Sequence, residues 1–321
     1  MNLLKWLSRL SLVVLFVLLP LVGCTTNEAT GRSQFLPLSW EEETQIGAQA
    51  APEFIQQSGG ELPDQGVVNY VSDLGARLAA QSEMPDIPWE FHVLDSQVIN
   101  AFALPGGKVF MSRGLIEKMD NEAQLAGVLG HEIGHVTARH GNERMGKAML
   151  AQGLILAVGI GGAISDNEWM QVLGVGTAAG GQLFLLKYSR SNELEADALG
   201  VRYMAKLGYN PVGQVQVMEI LRQASGGSSQ PEWLSTHPAS DTRISALEKI
   251  ITKDYPRYND PSFYNMGFDS FERNVLTPLS KLPPAKHGSS AMLSPAEFER
   301  IAGITWEQAM HQGCNDCGSK H

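Results

Sequence analysis

Between Asp64 and Gln81 the apolar residues Val67, Val71, Leu74 and Leu78 recur every three or four positions, which places them on one face of a helix. Trp89, Phe91 and Val93 alternate with polar neighbours, the two-residue period of a half-buried strand, and Lys108 to Ser112 reads as a second strand after a turn. From Asp120 onward the pattern is mainly helical. Asp120 or Asn121 caps a helix through Leu125, Ala126, Val128 and Leu129 to about His140, where Gly141 ends it. Later helices are expected at about Ser191–Leu207, at about Asn210–Ala224 behind an N1 proline, and from about Pro238 to Lys253. Upstream, Ser39-Trp40-Glu41-Glu42 has the form of a capping box and opens a short helix. The expected fold class is α+β, mainly α, with a small sheet beside the long helix that begins at residue 120.

Two apolar segments need separate treatment. Residues 143–187 are rich in Gly and Ala and are broken by Ser165-Asp166-Asn167-Glu168; Ala148–Ile164 carries four glycines and is short for a bilayer span, so a buried helical hairpin is expected. At the N-terminus, Lys5 and Arg9 precede the apolar run Leu10–Leu21, which has the length of a signal-peptide core. The run ends in Leu21-Val22-Gly23-Cys24, which looks like a bacterial lipobox with Cys24 as the lipidated residue. Several acyl chains exceed what stable anchoring needs. Thr25 in place of Asp resembles the pattern of Gram-negative lipoproteins destined for the outer membrane, facing the periplasm. The expected organisation is therefore residues 1–23 as signal peptide, 24–38 as tether, 39–254 as the main domain and 255–321 as an appendage of undisclosed role, with a terminal helix opening at Ser294-Pro295.

Composition narrows the field. A net charge of −10 without basic runs argues against nucleic acid as a partner. Cys314 and Cys317 are the only other cysteines. In an oxidising compartment they suit a small local disulfide, with an unstructured tail or a second zinc site using His311 and His321 as alternatives. Gly-x-Ser-x-Gly is absent, which removes the usual serine-hydrolase signature.

The chemistry concentrates in His131-Glu132-Ile133-Gly134-His135. Histidines four apart on a helix converge on one metal, and the intervening glutamate lies about 100° round, near metal-bound water. A catalytic zinc keeps three protein ligands and one open position. The metzincin continuation fails, since its positions hold Ala138 and Gly141, and His140 reads as a helix-end residue off the ligand face. Glu193-Leu194-Glu195-Ala196-Asp197 supplies an alternative third ligand. Glu193 binds the metal, and Asp197, one turn on, accepts a hydrogen bond from the distal nitrogen of a ligand histidine. Glu195 then points elsewhere, as a surface or N-terminal-turn acid.

Together, His131-Glu132-x-x-His135 and Tyr188-Ser189-Arg190-Ser191-Asn192-Glu193-Leu194-Glu195-Ala196-Asp197 resemble the gluzincin family of HtpX-like, Oma-type and CAAX-prenyl-protease-type zinc metallopeptidases, metallopeptidase family forty-eight. Asn100-Ala101-Phe102-Ala103-Leu104-Pro105-Gly106-Gly107 resembles the family stretch leading into the edge strand beside the cleft, and Thr236-His237-Pro238 with Arg243 resembles its downstream motif. The resemblance covers about residues 38–252. It implies one catalytic Zn2+ held by His131, His135 and Glu193, with Glu132 as base. It also implies substrate binding along Asn100, Ala101, Phe102 and an exposed strand at Lys108, Val109 and Phe110. His237 either stabilises the oxyanion or closes the open site; Arg243 either orients that loop or stabilises transition-state charge. The expected function is endopeptidase cleavage of unfolded or misassembled envelope proteins, with a chaperone-like protein that retains a zinc fold as the rival.

Overall fold

The computed structural model describes residues 24–151, 187–225, 231–238 and 240–286. The expected glycine-rich hairpin lies largely outside these residues, and the signal peptide, the cysteine tail and the terminal helix lie wholly outside them.

Two helices follow the N-terminal segment. Helix α1 (Trp40–Gln57) opens with the expected capping box, in which Ser39 and Glu42 bond reciprocally, and α2 (Gln65–Ala79) is capped by Asp64. Three strands come next: β3 (Glu90–Leu94), β4 (Ala101–Leu104) and β5 (Lys108–Ser112). Before these, β1 (Cys24–Thr26) and β2 (Ser33–Phe35) form a separate antiparallel hairpin.

The sheet order corrects one expectation. β5 is the central strand, parallel to β3 on one side and antiparallel to β4 on the other. Lys108, Val109 and Phe110 are therefore paired along both edges and buried, and they offer nothing to an extended substrate. The Pro105-Gly106-Gly107 turn accounts for the antiparallel pairing. Both glycines sit at positive φ, +74° and +85°, where a side chain is strained, and a Cβ on Gly106 would lie 2.4 Å from Thr44 Cα. This tight reversal returns the chain along β4, and β3 then pairs in parallel with the other side of β5. β3 and β4 are the two outer strands.

After a single-turn helix α3 (Arg113–Ile116), the chain enters α4 (Glu122–Thr137), N-capped by Asn121. Every residue of α4 is buried, including His131, Glu132 and His135. It ends three residues earlier than its pattern suggests. Ala138 is the C-cap, Arg139 adopts φ +55°, and α5 (His140–Ala151) starts afresh. The Arg139 guanidinium holds this unusual link through Glu43, the Leu38 carbonyl and the face of Trp40, 4.4 Å away.

Helix α6 (Arg190–Lys206) lies against α4 along a seam of small residues. A Cβ on Gly134 would come within 2.9 Å of the Ala196 carbonyl, and one on Gly200 within 2.8 Å of the His131 backbone nitrogen. Backbone meets backbone there, so Gly200→Ala is expected to cost about 1–3 kcal/mol as overpacking. Denaturant unfolding checks this, and an unchanged midpoint would show that the seam has slack.

Helices α7 (Val212–Ala224), α8 (Trp233–Thr236) and α9 (Asp241–Asp254) complete the shell around α4 and α6. Two boundaries differ from expectation. Phe271, Val275 and Leu279 are fully buried in the main core, so the segment after residue 254 packs as part of the same body up to residue 286. At the other end the presumed tether is ordered. Asn27 Nδ2 donates to the Thr137 carbonyl at 3.0 Å, and Gln34 Nε2 donates to that of Ala138 at 2.9 Å. The β1–β2 hairpin thereby satisfies carbonyls that the end of α4 leaves without helical partners.

Candidate metal centre

One turn of α4 sets His131 above His135, with their Nε2 atoms 3.1 Å apart. Ser189 N-caps α6 by accepting from Asn192 N, which places Glu193 in the first turn facing the two rings. Glu193 Oε2 is 3.7 Å from His131 Nε2, and Oε1 is 3.5 Å from His135 Nε2. His237, at the C-cap of α8, brings a third imidazole. One donor atom from each of His131, His135, Glu193 and His237 falls within 4.8 Å of the others, and all four residues are buried.

This arrangement fits a divalent cation. Neither Glu193 oxygen receives a well-directed hydrogen bond, although Arg243 Nη1 forms a close ion pair with Oε2. His237 Nε2 and Glu132 Oε2 also lack partners. Buried polar atoms rarely stay unsatisfied, and three imidazoles with one carboxylate form a donor set suited to zinc. Burial pushes His135 and His237 well below the ordinary histidine value, which keeps both rings neutral with a lone pair available.

The acids differ by environment. Burial raises Glu193 to about 8 against the pull of Arg243, and raises Glu132 to about 7 against His131 and a 3.2 Å hydrogen bond from Trp233 Nε1. A bound divalent cation would lower both. Burial acts on Asp197 in the same direction, but the charge and hydrogen bonds of Arg243 hold it at about 2. Asp197 Oδ1 lies 2.9 Å from His131 Nδ1, and it accepts from Arg243 and from Gln214 Nε2 at 3.0 Å. Arg243 also donates to the Pro238 carbonyl at 3.1 Å, so one guanidinium ties the Glu193–Asp197 face to the loop that carries His237.

His237 is pinned on both sides. Thr236 Oγ1 is 2.7 Å from its Nδ1, and its ring stacks on Trp233 at 4.9 Å with 13° between planes. Trp233 escaped the sequence reading, and Tyr188 entered it only as part of a motif, without a role. Tyr188 stacks on His135 at 3.9 Å and carries the Arg144 guanidinium 4.2 Å over its other side. Aromatic residues immediately before the Ser189 cap and four before His237 were the available signals.

His140 and Glu195 also occupy unexpected places. The left-handed turn at Arg139 takes His140 off α4 and folds its ring back. Its Nδ1 meets His135 Nδ1 at 3.0 Å, and its Nε2 meets Glu195 Oε2 at 3.0 Å. Burial keeps His140 below its ordinary value despite the Glu195 contact. Glu195, expected to point elsewhere, is thus part of the site's surroundings.

The substrate positions are dispersed. Asn100 Nδ2 donates to Glu232 Oε1 at 3.0 Å, and Lys108 Nζ reaches Glu90 and the Pro88 carbonyl. Ala101 and Phe102 lie on the outer strand β4, but the Phe102 ring packs between Phe54 and Phe110 on the far face of the sheet. Instead, Ala103, Leu104 and Pro105 join His135, Val136, Arg139, Gly141, Tyr188 and Glu43 around a small pocket next to the metal centre.

A mainly helical α+β body, a small sheet beside the H-E-x-x-H helix and a glutamate from a second helix together define the gluzincin class of metallopeptidase. Comparison with known proteins agrees. Residues 67–251 match the model of peptidase family M48, and the chain belongs to that family. It is 31% identical over 296 residues to the Beta-barrel assembly-enhancing protease of Yersinia pestis, covering 83% of this chain and 59% of that protein. The protein of the same name from Escherichia coli K12 is 32% identical over 262 residues, covering 77% and 53%. Metalloendopeptidase OMA1, mitochondrial, of Bos taurus is 31% identical over 263 residues, covering 77% and 50%. The chain thus spans between half and three-fifths of the length of these relatives.

Proposed function

We propose that the chain is a zinc-dependent endopeptidase that cuts unfolded or misassembled envelope proteins, held by lipid on Cys24 at the periplasmic face of the outer membrane. The observation that carries this reading is the buried donor cluster with Glu132 beside it. The lipobox supports the location, and relatives named for enhancing β-barrel assembly support the substrate class. Residues 39–254 would form the catalytic unit, with the β1–β2 hairpin and residues 255–286 packed onto it.

His131, His135 and Glu193 would hold the zinc, which when bound polarises the scissile carbonyl and makes water acidic enough to lose a proton near neutral pH. Glu132 accepts that proton as the water attacks and returns it to the departing amine. Trp233 steadies the Glu132 carboxylate. Asp197 fixes the His131 ring, and Arg243 keeps Asp197 ionised while braced against the His237 loop. An extended peptide backbone would pair with β4 on the side that has no strand partner, although all four residues of β4 are buried in this state.

His237 adds a fourth protein donor to the three proposed ligands, which supports the self-closed role for His237 over the oxyanion role. Casein or an unfolded outer-membrane protein should be cleaved, and a chelator should stop cleavage. His237→Ala should cleave faster than wild type; slower cleavage would return His237 to the oxyanion role. A metal site plugged by His237 would also suit the rival, chaperone-like reading, and chelator-insensitive protection of an unfolded client without cleavage would establish it.

A further inference from the structure

We propose that His140, Glu195 and Arg32 form a positioning relay that sets the tautomer and ring orientation of His135, so that the N-terminal hairpin is a working part of the metal centre. This rests on the zinc reading of the site above.

The two histidines of α4 are supported differently. His131 has a carboxylate, Asp197, directly on its Nδ1. His135 also turns Nε2 toward the cluster, 3.1 Å from His131 Nε2 and 3.5 Å from Glu193, so Nδ1 is the nitrogen left to be fixed. It faces another imidazole nitrogen, His140 Nδ1, at 3.0 Å. Two ring nitrogens at that distance need one proton between them. If Nε2 of His135 presents a lone pair to a metal, its Nδ1 carries the hydrogen and His140 Nδ1 accepts it. The remaining hydrogen of His140 then sits on Nε2 and is donated to Glu195 Oε2 at 3.0 Å. Both rings stay neutral, and every nitrogen has one role.

Arg32 completes the chain. Its Nε donates to Glu195 Oε1 at 2.9 Å and its Nη2 to Oε2 at 3.2 Å, while its outer edge holds both Glu143 oxygens at 2.9 and 2.8 Å. One guanidinium on the β1–β2 connection therefore spans α5 and α6 and orients the carboxylate at the end of the relay. Outer partners of metal-bound histidines fix the ring and raise its basicity. Here that support is carried one imidazole further out, to a residue eight positions after Cys24.

The test uses the full chain with zinc added in competition with a fluorescent chelator, and 15N-histidine NMR of the zinc-loaded protein. His140 should appear as the Nε2–H tautomer. His140→Phe and Glu195→Leu should each weaken zinc binding about 10–100-fold, the usual loss for an outer partner, while Glu195→Gln, which still accepts from His140, should restore most of it. Arg32→Gln should weaken it less. Glu143→Leu cuts the other arm of Arg32, and it should lower thermal stability without changing zinc affinity. An Nδ1–H tautomer of His140, or wild-type zinc affinity in both His140→Phe and Glu195→Leu, would overturn the relay and leave the metal reading intact. A wild-type chain that binds no zinc would instead sink the metal reading and the relay with it.

Discussion

Glu132→Gln is expected to bind zinc as wild type does and to lose about 10²–10⁴-fold in peptide turnover, the usual contribution of a positioned proton-transfer group. The side chain sits beside the donor cluster without belonging to it, as one step of about 100° round α4 from His131 requires. Gln keeps the volume and can still accept from Trp233 Nε1, so the fold and the ligand geometry should survive. Only the capacity to take a proton is removed. Metal analysis beside casein turnover separates the two quantities, and near-normal turnover would remove Glu132 from the reaction.

Glu193→Ala should have the opposite signature, with metal lost first and activity following. Removing a direct ligand should weaken zinc by more than the roughly 10–100-fold that loss of an outer partner costs. Asp197→Asn provides the internal scale, because it alters the support of His131 and leaves all four donors in place. Glu193→Ala leaves Arg243 paired with Asp197, so the guanidinium keeps a buried partner and the chain should still fold. Equal zinc affinity in Glu193→Ala and wild type, by chelator competition, would move the metal elsewhere.

Much of this site was legible because local rules carried it. Residues four apart share a helix face, so His131 with His135, and Glu193 with Asp197, were readable as pairs before any coordinates. Helix starts were readable too, because Ser39, Asp64 and Asn121 cap through their own side chains. What failed was non-local. The central place of β5 depends on which strands pair with its two sides, and strand pairing leaves no period in a single strand. His140 was lost for a different reason. Its helical pattern continues through Arg139, but tertiary contacts to Glu43 and Trp40 hold that residue left-handed and end the helix early. Arg32 lay in a stretch that is polar and small enough to read as a tether, and its partners are more than a hundred residues away.

The contact between α4 and α6 has a consequence for how the centre tolerates change. Where main chains touch directly, the spacing of the two helices does not depend on the size of any side chain between them. Substitutions that loosen the apolar body elsewhere should therefore soften the protein well before the carboxylate of residue 193 drifts from the two imidazoles of α4. The grip on the ion is geared to the least compressible part of the molecule, and catalytic geometry can outlast considerable wear in the rest of the interior.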